Sequence, residues 1–98
     1  MGIIVQKYGG TSVADPEKIR SVAQSVIREK NNGNSVVVVV SAMGHTTDYL
    51  VKLANEVSPE PSNREMDMLL ATGEQVSIAL LTMAIQAAGH DAVSMNAM

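Results

Sequence analysis

Residues 7–13, KYGGTSV, combine the groups that proteins use to bind an anion. Lys7 can neutralise a negative charge, and the glycine pair that follows lets the backbone approach an anion closely. The hydroxyls of Thr11 and Ser12 can donate hydrogen bonds to it. The spacing matches neither G-x-x-x-x-G-K-[ST] nor G-x-G-x-x-G. The segment therefore fits a phosphate-binding loop, but also an ordinary strand-ending turn with a solvated lysine.

A second polar loop, SAMGHTT at residues 41–47, has a similar setting. It follows an apolar run and precedes a helical pattern, with hydroxyl groups at Ser41 and Thr47. Ligands of parallel α/β sheets collect where strands end and helices begin, because backbone N–H groups and helix N-termini point into that space. The loop is therefore a candidate ligand site, although a plain β-to-α connection is the simpler explanation.

The third candidate is the carboxylate of Glu74, which follows Thr72 and Gly73. With Thr72 as a cap, Glu74 falls in the first turn of a helix, where the helix dipole stabilises an anion without any ligand. A binding role would make it an acceptor for a substrate ammonium group. His45 and His90 are predicted to be loop residues rather than metal ligands or general bases, because neither has a cysteine or glutamate at ligand spacing.

Composition excludes several classes of function. The 98 residues include seven basic, ten acidic and two aromatic residues, which provide neither a positive surface for a phosphodiester backbone nor rings for base stacking. Without cysteine there is no disulfide framework or thiol nucleophile. The start MGIIVQK lacks the features of a signal peptide, and the uninterrupted apolar runs are too short for a bilayer helix. We therefore expect a cytoplasmic protein that binds neither nucleic acid nor a membrane.

Apolar periodicity predicts a strand, a helix and a second strand in the first 40 residues. Residues 3–5 are β-branched and apolar, as in a buried strand. Asp15 and Pro16 introduce a helix over residues 16–30, with one apolar stripe. Residues 36–40 are five consecutive valines, as in a central strand that is covered on both faces. This order predicts a βαβ unit with a parallel sheet.

Two helices are predicted after the second strand. Thr46 can cap the first of them. Its inward-facing residues are predicted to be Leu50, Leu53, Ala54 and Val57. Ser62 and Glu65 form a capping box for the second, and Thr72 with Gln75 indicates a break near Gly73.

The end of the chain combines a very apolar helix with a strand pattern. Residues 76–88 are apolar or small at nearly every position, so we expect them to be buried on more than one side or to form a subunit contact. Residues 91–95 resume the alternation of a strand.

Three blocks of the sequence resemble the aspartate kinases, members of the amino-acid kinase superfamily. These blocks are KYGGTSV at 7–13, VVVVVSAMGHTTDYL at 36–50 and MLLATGEQVSIALL at 68–81. Tyr8 stands where that family usually has phenylalanine, and the family's Gly-Glu pair falls on Gly73 and Glu74. The blocks follow the family's order and cover nearly the whole chain. Other members of the superfamily share the glycine loop but not this combination.

This resemblance implies a three-layer αβα fold with a mainly parallel sheet, of which the chain holds a βαβαα-β portion. It implies transfer of the γ-phosphoryl group of ATP, accompanied by Mg²⁺, to the side-chain carboxylate of L-aspartate. The product, 4-phospho-L-aspartate, begins the biosynthesis of lysine, threonine and methionine. The acceptor carboxylate is already ionised at neutral pH, so the reaction needs no general base.

The resemblance also implies roles for individual residues. Lys7 would be the catalytic residue that neutralises the transferring phosphoryl group. The ATP phosphates would be held by Lys7, Tyr8, Gly9, Gly10 and Ser12. Ser41 and Thr47 would orient L-aspartate, and Glu74 would pair with its ammonium group. Positioning and charge neutralisation supply most of the catalysis in phosphoryl transfer, which suits these groups. No metal ligand is assigned in this chain.

The catalytic domain of that family is longer than this chain. Its later segments supply the nucleotide pocket, a second phosphate-binding lysine, an arginine for the substrate α-carboxylate and an acidic residue at the catalytic centre, and regulatory ACT domains follow. We interpret residues 1–98 as the N-terminal portion of the catalytic domain, inactive alone. A sheet that stops after its third strand exposes an apolar edge. We therefore expect a homo-oligomer joined there or through residues 76–88, or pairing with the remainder of the kinase.

Two other functions stay open. The chain could be a non-catalytic interaction or scaffold module that inherited these loops. It could also belong to another amino-acid kinase, with glutamate or a nucleotide as the acceptor. Residues 41–47 favour aspartate by resemblance, whereas composition and spacing do not decide between the acceptors.

Overall fold

The computed structural model describes residues 2–95, which form a parallel two-stranded sheet and three α-helices. In chain order the elements are β1 (Ile3–Tyr8), a short 3₁₀ helix (Gly10–Val13), α1 (Pro16–Asn31), β2 (Ser35–Val40), α2 (Thr46–Val57) and α3 (Asn63–Ala87). The predicted α/β class and the parallel βαβ unit are confirmed.

Helix α1 forms as its sequence predicts. Asp15 is the N-cap, and its carboxylate accepts a hydrogen bond from the Lys18 N–H at 2.8 Å. Pro16 occupies the first helical position, where its missing N–H costs nothing. The helix ends before Gly33, whose positive φ of 88° suits a residue without a side chain. The chain then returns as β2, with Ile3 opposite Ser35 and Tyr8 opposite Val40.

The hydrophobic core lies between one face of the sheet, α1 and the C-terminal half of α3. Its buried members are Val13, Ile19, Val22, Ala23, Val26, Ile27, Val40, Leu81 and Ile85. The five from α1 are those that its helical spacing predicts. Tyr8, Val36 and Val38 pack against this core from the sheet.

The other face of the sheet is open among the described residues. Its side chains Ile3, Val5, Val37 and Val39 are between 48 % and 75 % exposed. The prediction that the valine strand is covered on both faces is therefore wrong for residues 2–95, which supply two of the three expected layers. A run of valines makes both faces of a strand suitable for burial, but other segments must supply the cover.

Helix α3 is continuous from Asn63 to Ala87, so the predicted break near Gly73 is wrong. Ser62 caps the helix as expected, since its hydroxyl oxygen accepts a hydrogen bond from the Glu65 N–H at 3.4 Å. Thr72 is not a cap, because its hydroxyl donates to the Leu69 carbonyl at 2.6 Å within the helix.

The apolar half of α3 is buried along one stripe only. Leu81 and Ile85 face the core, whereas Val76, Leu80 and Met83 are between 37 % and 59 % exposed. Within residues 2–95 the prediction of burial on more than one side is wrong, because α1 and α2 do not surround the helix, and the alternative of a subunit contact stays a prediction. By length and composition alone, α3 also meets the requirement for a membrane span, a requirement that core helices of soluble proteins meet as well.

Helix α2 differs from its prediction at both the cap and the buried face. His45, not Thr46, is the N-cap, and no side chain closes a capping hydrogen bond. No residue of α2 is buried, because the helix packs along one side against α3; Leu53 is 36 % and Val57 is 87 % exposed. These two residues line a groove of about 420 Å³ between α2 and α3.

Residues 91–95 do not form the predicted third strand. The Ala92 carbonyl accepts a hydrogen bond from the Gln86 side-chain amide at 3.0 Å, and Val93 is 77 % exposed. Alternating side chains make a segment suitable for a sheet, but a strand forms only where its backbone groups have a ladder partner. The order of described elements is therefore βαβαα.

Candidate functional site

The loop after β1 is fixed between the sheet and the core. Gly9 has extended backbone angles, and its carbonyl accepts a hydrogen bond from the Ser12 N–H at 3.1 Å. Val13 is fully buried and anchors the end of the loop, whereas Thr11 and Ser12 are exposed. The segment 9–12, named here the glycine loop, thus presents its two hydroxyl side chains at the surface.

Lys7 and Tyr8 point to opposite faces of the sheet. Lys7 lies beside Val39 on the open face and is exposed. Tyr8 packs against the core, and its hydroxyl donates to Gln6 Oε1 at 2.8 Å. The lysine is therefore available to a ligand, while the tyrosine hydroxyl is engaged with a neighbouring side chain.

The segment 41–45, named here the serine loop, continues from β2 and lies against the glycine loop. The Ser41 N–H donates to the Tyr8 carbonyl at 3.1 Å, which extends the contact between the two strands. The Gly44 N–H donates to the Gly10 carbonyl at 2.9 Å. The two loops that the sequence nominates separately are thus joined directly.

Gly10 is a glycine because the serine loop leaves no room for a side chain. A β-carbon at this position would lie 2.7 Å from the Ala42 carbonyl oxygen and 3.3 Å from the Gly44 carbonyl oxygen. Both neighbours are backbone atoms, so they cannot rotate away. Ala42 itself is buried, at 4 % exposure.

Gly73 allows α3 to approach Ala42 closely, because it has no side chain. A β-carbon there would lie 3.0 Å from Ala42 Cβ and 3.2 Å from Thr46 Cγ2. A glycine inside a helix costs about 1 kcal/mol relative to alanine. The close approach between α3 and the serine loop accounts for its presence at this position.

Glu74 follows this contact in the middle of α3. The helix dipole acts within the first turn, so dipole pairing does not explain this carboxylate. Glu74 is exposed and lines a groove of about 930 Å³ along β2. No lysine or arginine among residues 2–95 forms an ion pair with it.

The predicted acceptor-binding hydroxyls lie in and next to the serine loop. Ser41 is half-buried where β2 ends, and Thr47 is exposed in the first turn of α2. The structure therefore joins the glycine loop to the serine loop, and it places Glu74 next to Gly73, which contacts that loop. Within residues 2–95, no three His, Asp or Glu side chains lie close enough together to hold a metal ion.

Two residues at this junction were not singled out from the sequence. Ala42 has no reactive group, and only its position between Gly10 and Gly73 makes it important. Ser77 is fully buried one helical turn after Gly73, and its hydroxyl has no hydrogen-bond partner among residues 2–95. The Gly73–Ser77 spacing, which puts two small residues on one helix face, was the available signal for a close contact.

Known proteins are similar to this chain over nearly its whole length. Residues 2–98 match the family model for the amino acid kinase family. The chain is 65 % identical over 94 residues to aspartokinase 2 of Bacillus subtilis, which covers 96 % of this chain and 23 % of that protein. It is 65 % identical over 96 residues to the aspartokinase of Geobacillus stearothermophilus, which covers 98 % of this chain and 24 % of that protein.

A solved structure shares the fold. The crystal structure of aspartate kinase from Synechocystis matches with a TM-score of 0.91 and 60 % sequence identity, over 93 % of this chain and 16 % of that chain. This chain thus spans less than a quarter of the length of these relatives. The family model, in contrast, matches it almost from end to end, and the chain belongs to the amino acid kinase family.

Proposed function

We propose that this chain is the N-terminal portion of the catalytic domain of an aspartate kinase. The reaction is transfer of the γ-phosphoryl group of ATP to the side-chain carboxylate of L-aspartate. It gives 4-phospho-L-aspartate, the first intermediate of lysine, threonine and methionine biosynthesis. The names of the similar proteins support this proposal, as does the meeting of the three sequence blocks at one end of the sheet.

The observation that carries the proposal is the hydrogen bond from the Gly44 N–H to the Gly10 carbonyl. Phosphoryl transfer needs its donor and acceptor held side by side in a fixed orientation. A direct contact between a phosphate-binding loop and an acceptor-binding loop meets that requirement.

On the phosphate side, Lys7 is the proposed catalytic residue. Its ammonium group, on the open face of the sheet, neutralises charge on the transferring phosphoryl group. The backbone of Gly9 and Gly10 and the hydroxyl of Ser12 bind the ATP phosphates. Tyr8 contributes through its backbone, since its hydroxyl faces Gln6. Mg²⁺ accompanies ATP, and no residue of this chain is assigned as its ligand.

On the acceptor side, Ser41 and Thr47 orient L-aspartate, and Glu74 pairs with its ammonium group. The exposed position of Glu74, with no ion pair among the described residues, supports a role toward an external cation. The carboxylate that attacks the phosphorus is ionised at neutral pH, so these residues bind and orient rather than move a proton.

The remainder of the site is proposed to come from segments outside these 98 residues. They would provide the nucleotide pocket and the regulatory ACT domains, and residues 1–98 alone would turn over no substrate. We propose a cytoplasmic protein that forms homo-oligomers and pairs with the remainder of the kinase chain. Neither a membrane nor nucleic acid is a proposed partner.

Binding of the acceptor tests this proposal better than turnover does. Isotope-labelled chain would be titrated with L-aspartate to millimolar concentration, with L-glutamate in parallel, while backbone amide shifts are followed by NMR. We expect saturable shifts at Ser41, Thr47 and Glu74 with L-aspartate only. Equal shifts with L-glutamate would indicate a different acceptor. No shifts with either would contradict the binding roles assigned to Ser41, Thr47 and Glu74 in this chain and favour the scaffold module.

A pair of variants separates charge at the site from charge elsewhere. Glu74→Gln removes the proposed partner of the ammonium group and is expected to weaken L-aspartate binding about tenfold, the usual effect of losing one charged hydrogen bond. Glu56→Gln makes the same change on an exposed position of α2 and is expected to leave binding unchanged. Equal effects of the two would show that Glu74 has no specific role.

A further inference from the structure

Ala42 lies between the two glycines whose side-chain positions are sterically closed. Its carbonyl oxygen occupies the space beside Gly10, and its β-carbon occupies the space beside Gly73. Gly10 belongs to the glycine loop and Gly73 to the helix that carries Glu74. The buried Ala42 thus lies against the glycine loop with its carbonyl oxygen and against α3 with its β-carbon.

We propose that Ala42 is a positioning residue that couples Glu74 to the glycine loop. The sizes of residues 42 and 73 set the distance between Glu74 and that loop. This inference rests on the proposed function of the site. Gly10, Ala42 and Gly73 form what we name the small-residue contact. A displacement of α3 against Ala42 moves its carbonyl, and with it the Gly10 backbone that the serine loop holds at 2.9 Å through Gly44.

Backbone contacts make this coupling stiff. Near Gly10 the closest atoms are carbonyl oxygens and an amide nitrogen, none of which can turn away as a side chain can. Packed interiors transmit strain because they have few voids to absorb it. Phosphoryl transfer is sensitive to such displacements, since a misplacement of about 1 Å can cost about a hundredfold in rate.

The coupling predicts an effect at a distance. In Gly73→Ala, the new β-carbon meets Ala42 Cβ at 3.0 Å. We expect the backbone amide resonances of Gly10 and Gly44 to shift, although the three atoms nearest to that β-carbon belong to Ala42, Thr46 and Leu50. We also expect L-aspartate to bind about tenfold more weakly, the loss of roughly one charged hydrogen bond at Glu74. Thr72→Ala alters the exposed neighbour on the same helix and should move neither resonance.

A compensating change distinguishes positioning from general destabilisation. Ala42→Gly removes the nearest atom that the new side chain meets, and the next, Thr46 Cγ2 at 3.2 Å, is the end of a side chain that can shift. The double variant Ala42→Gly with Gly73→Ala should therefore return the Gly10 and Gly44 resonances and the L-aspartate affinity toward the original values. The same comparison decides the case if Gly73→Ala alone does not fold. Recovery of the folded spectrum in the double variant supports the contact, and failure to recover it overturns the proposal.

Two outcomes separate this inference from the proposed function. If Gly73→Ala shifts only resonances near residue 73, the coupling is wrong whether or not L-aspartate binds. If Gly10 and Gly44 shift and the double variant restores them, while the unaltered chain shows no response to L-aspartate, the coupling stands and the assigned acceptor is wrong.

Discussion

Helices α1 and α3 both contribute to the hydrophobic core, but they bury different kinds of side chain. In α1 the buried stripe is made of apolar residues, including Ile19, Val22 and Ile27. In α3 two of the four buried residues are Gly73 and Ser77, and large apolar side chains remain exposed.

The difference shows that the two helices serve different purposes. Burial of α1 removes apolar area from water, which stabilises the fold. The middle of α3 buries the small residues Gly73 and Ser77, which stabilises little by burial but, at Gly73, brings the helix close to the serine loop. The core therefore takes most of its buried side chains from α1, whereas Gly73 of α3 allows the close approach to the serine loop.

The largest expected effect tests the role of α1. Ile19→Ala should lower the free energy of unfolding by about 2–5 kcal/mol, because it leaves a cavity in the core. Leu80→Ala on the exposed side of α3 should cost less than about 1 kcal/mol. Urea unfolding followed by circular dichroism measures both. Equal losses would show that the Leu80 side of α3 contributes to stability as much as the buried stripe of α1 does.

The N-cap residues of α1 and α3 provide a second comparison of the two helices. Asp15→Ala should cost about 1 kcal/mol, since the carboxylate accepts a hydrogen bond of 2.8 Å from the Lys18 N–H. Ser62→Ala should cost less, because its hydrogen bond to the Glu65 N–H is 3.4 Å long. The same urea titrations compare the two, and a larger loss for Ser62→Ala would contradict the assigned roles of the helices.

Ser77→Ala tests whether α3 carries small residues at the expense of stability. The buried hydroxyl has no hydrogen-bond partner in the part of the chain that the structure describes, so its removal should leave stability unchanged or raise it by up to about 1 kcal/mol. Ser25→Ala, at a half-buried position of α1 where the hydroxyl donates to the Ser21 carbonyl, should change stability by less than about 0.5 kcal/mol. A clear loss of thermal stability in Ser77→Ala would mean that the hydroxyl makes a stabilising hydrogen bond.

The smallest effect on stability is expected at the exposed apolar side of α3. The double variant Val76→Gln with Met83→Gln should change the free energy of unfolding by less than about 0.5 kcal/mol per substitution. If this side joins copies of the chain, sedimentation velocity should show weaker self-association than in the Lys52→Gln control on α2. Unchanged association would place the contact elsewhere, with the free edge of β2 as the next candidate.

The sequence predicts best those features whose signals are local. Asp15 and Pro16 define the start of α1 because the cap and the fixed proline φ act within one turn. The predicted break near Gly73 fails because Thr72 can satisfy its hydroxyl inside a helix as well as at its start. The strand pattern at 91–95 and the burial of both faces of β2 fail because each depends on partners that a local pattern does not specify.

The site was predictable to a similar extent. The rule that loops gather at the carboxyl ends of parallel strands correctly brings the glycine loop and the serine loop together. It does not reveal Ala42, because an alanine carries no chemical signal and its importance lies in the atoms on either side. Nor does it place Glu74 in the middle of a helix. The sequence assigns Thr72 as a helix cap, and this wrong assignment puts Glu74 in a first turn.

The run of valines in β2 has a consequence for how the chain folds. Sliding β2 by two residues against β1 would put valine opposite much the same neighbours, so the side chains alone barely define the alignment of the strands. Contacts at the two ends of the strands must therefore define the register. The Ser35 N–H donates to the Gly2 carbonyl at 2.8 Å, and the Gly44 N–H donates to the Gly10 carbonyl at 2.9 Å. The hydrogen bond between the two loops thus also selects the native register of β1 and β2. In a shifted register the glycine loop and the serine loop would not meet, and the candidate site would not form.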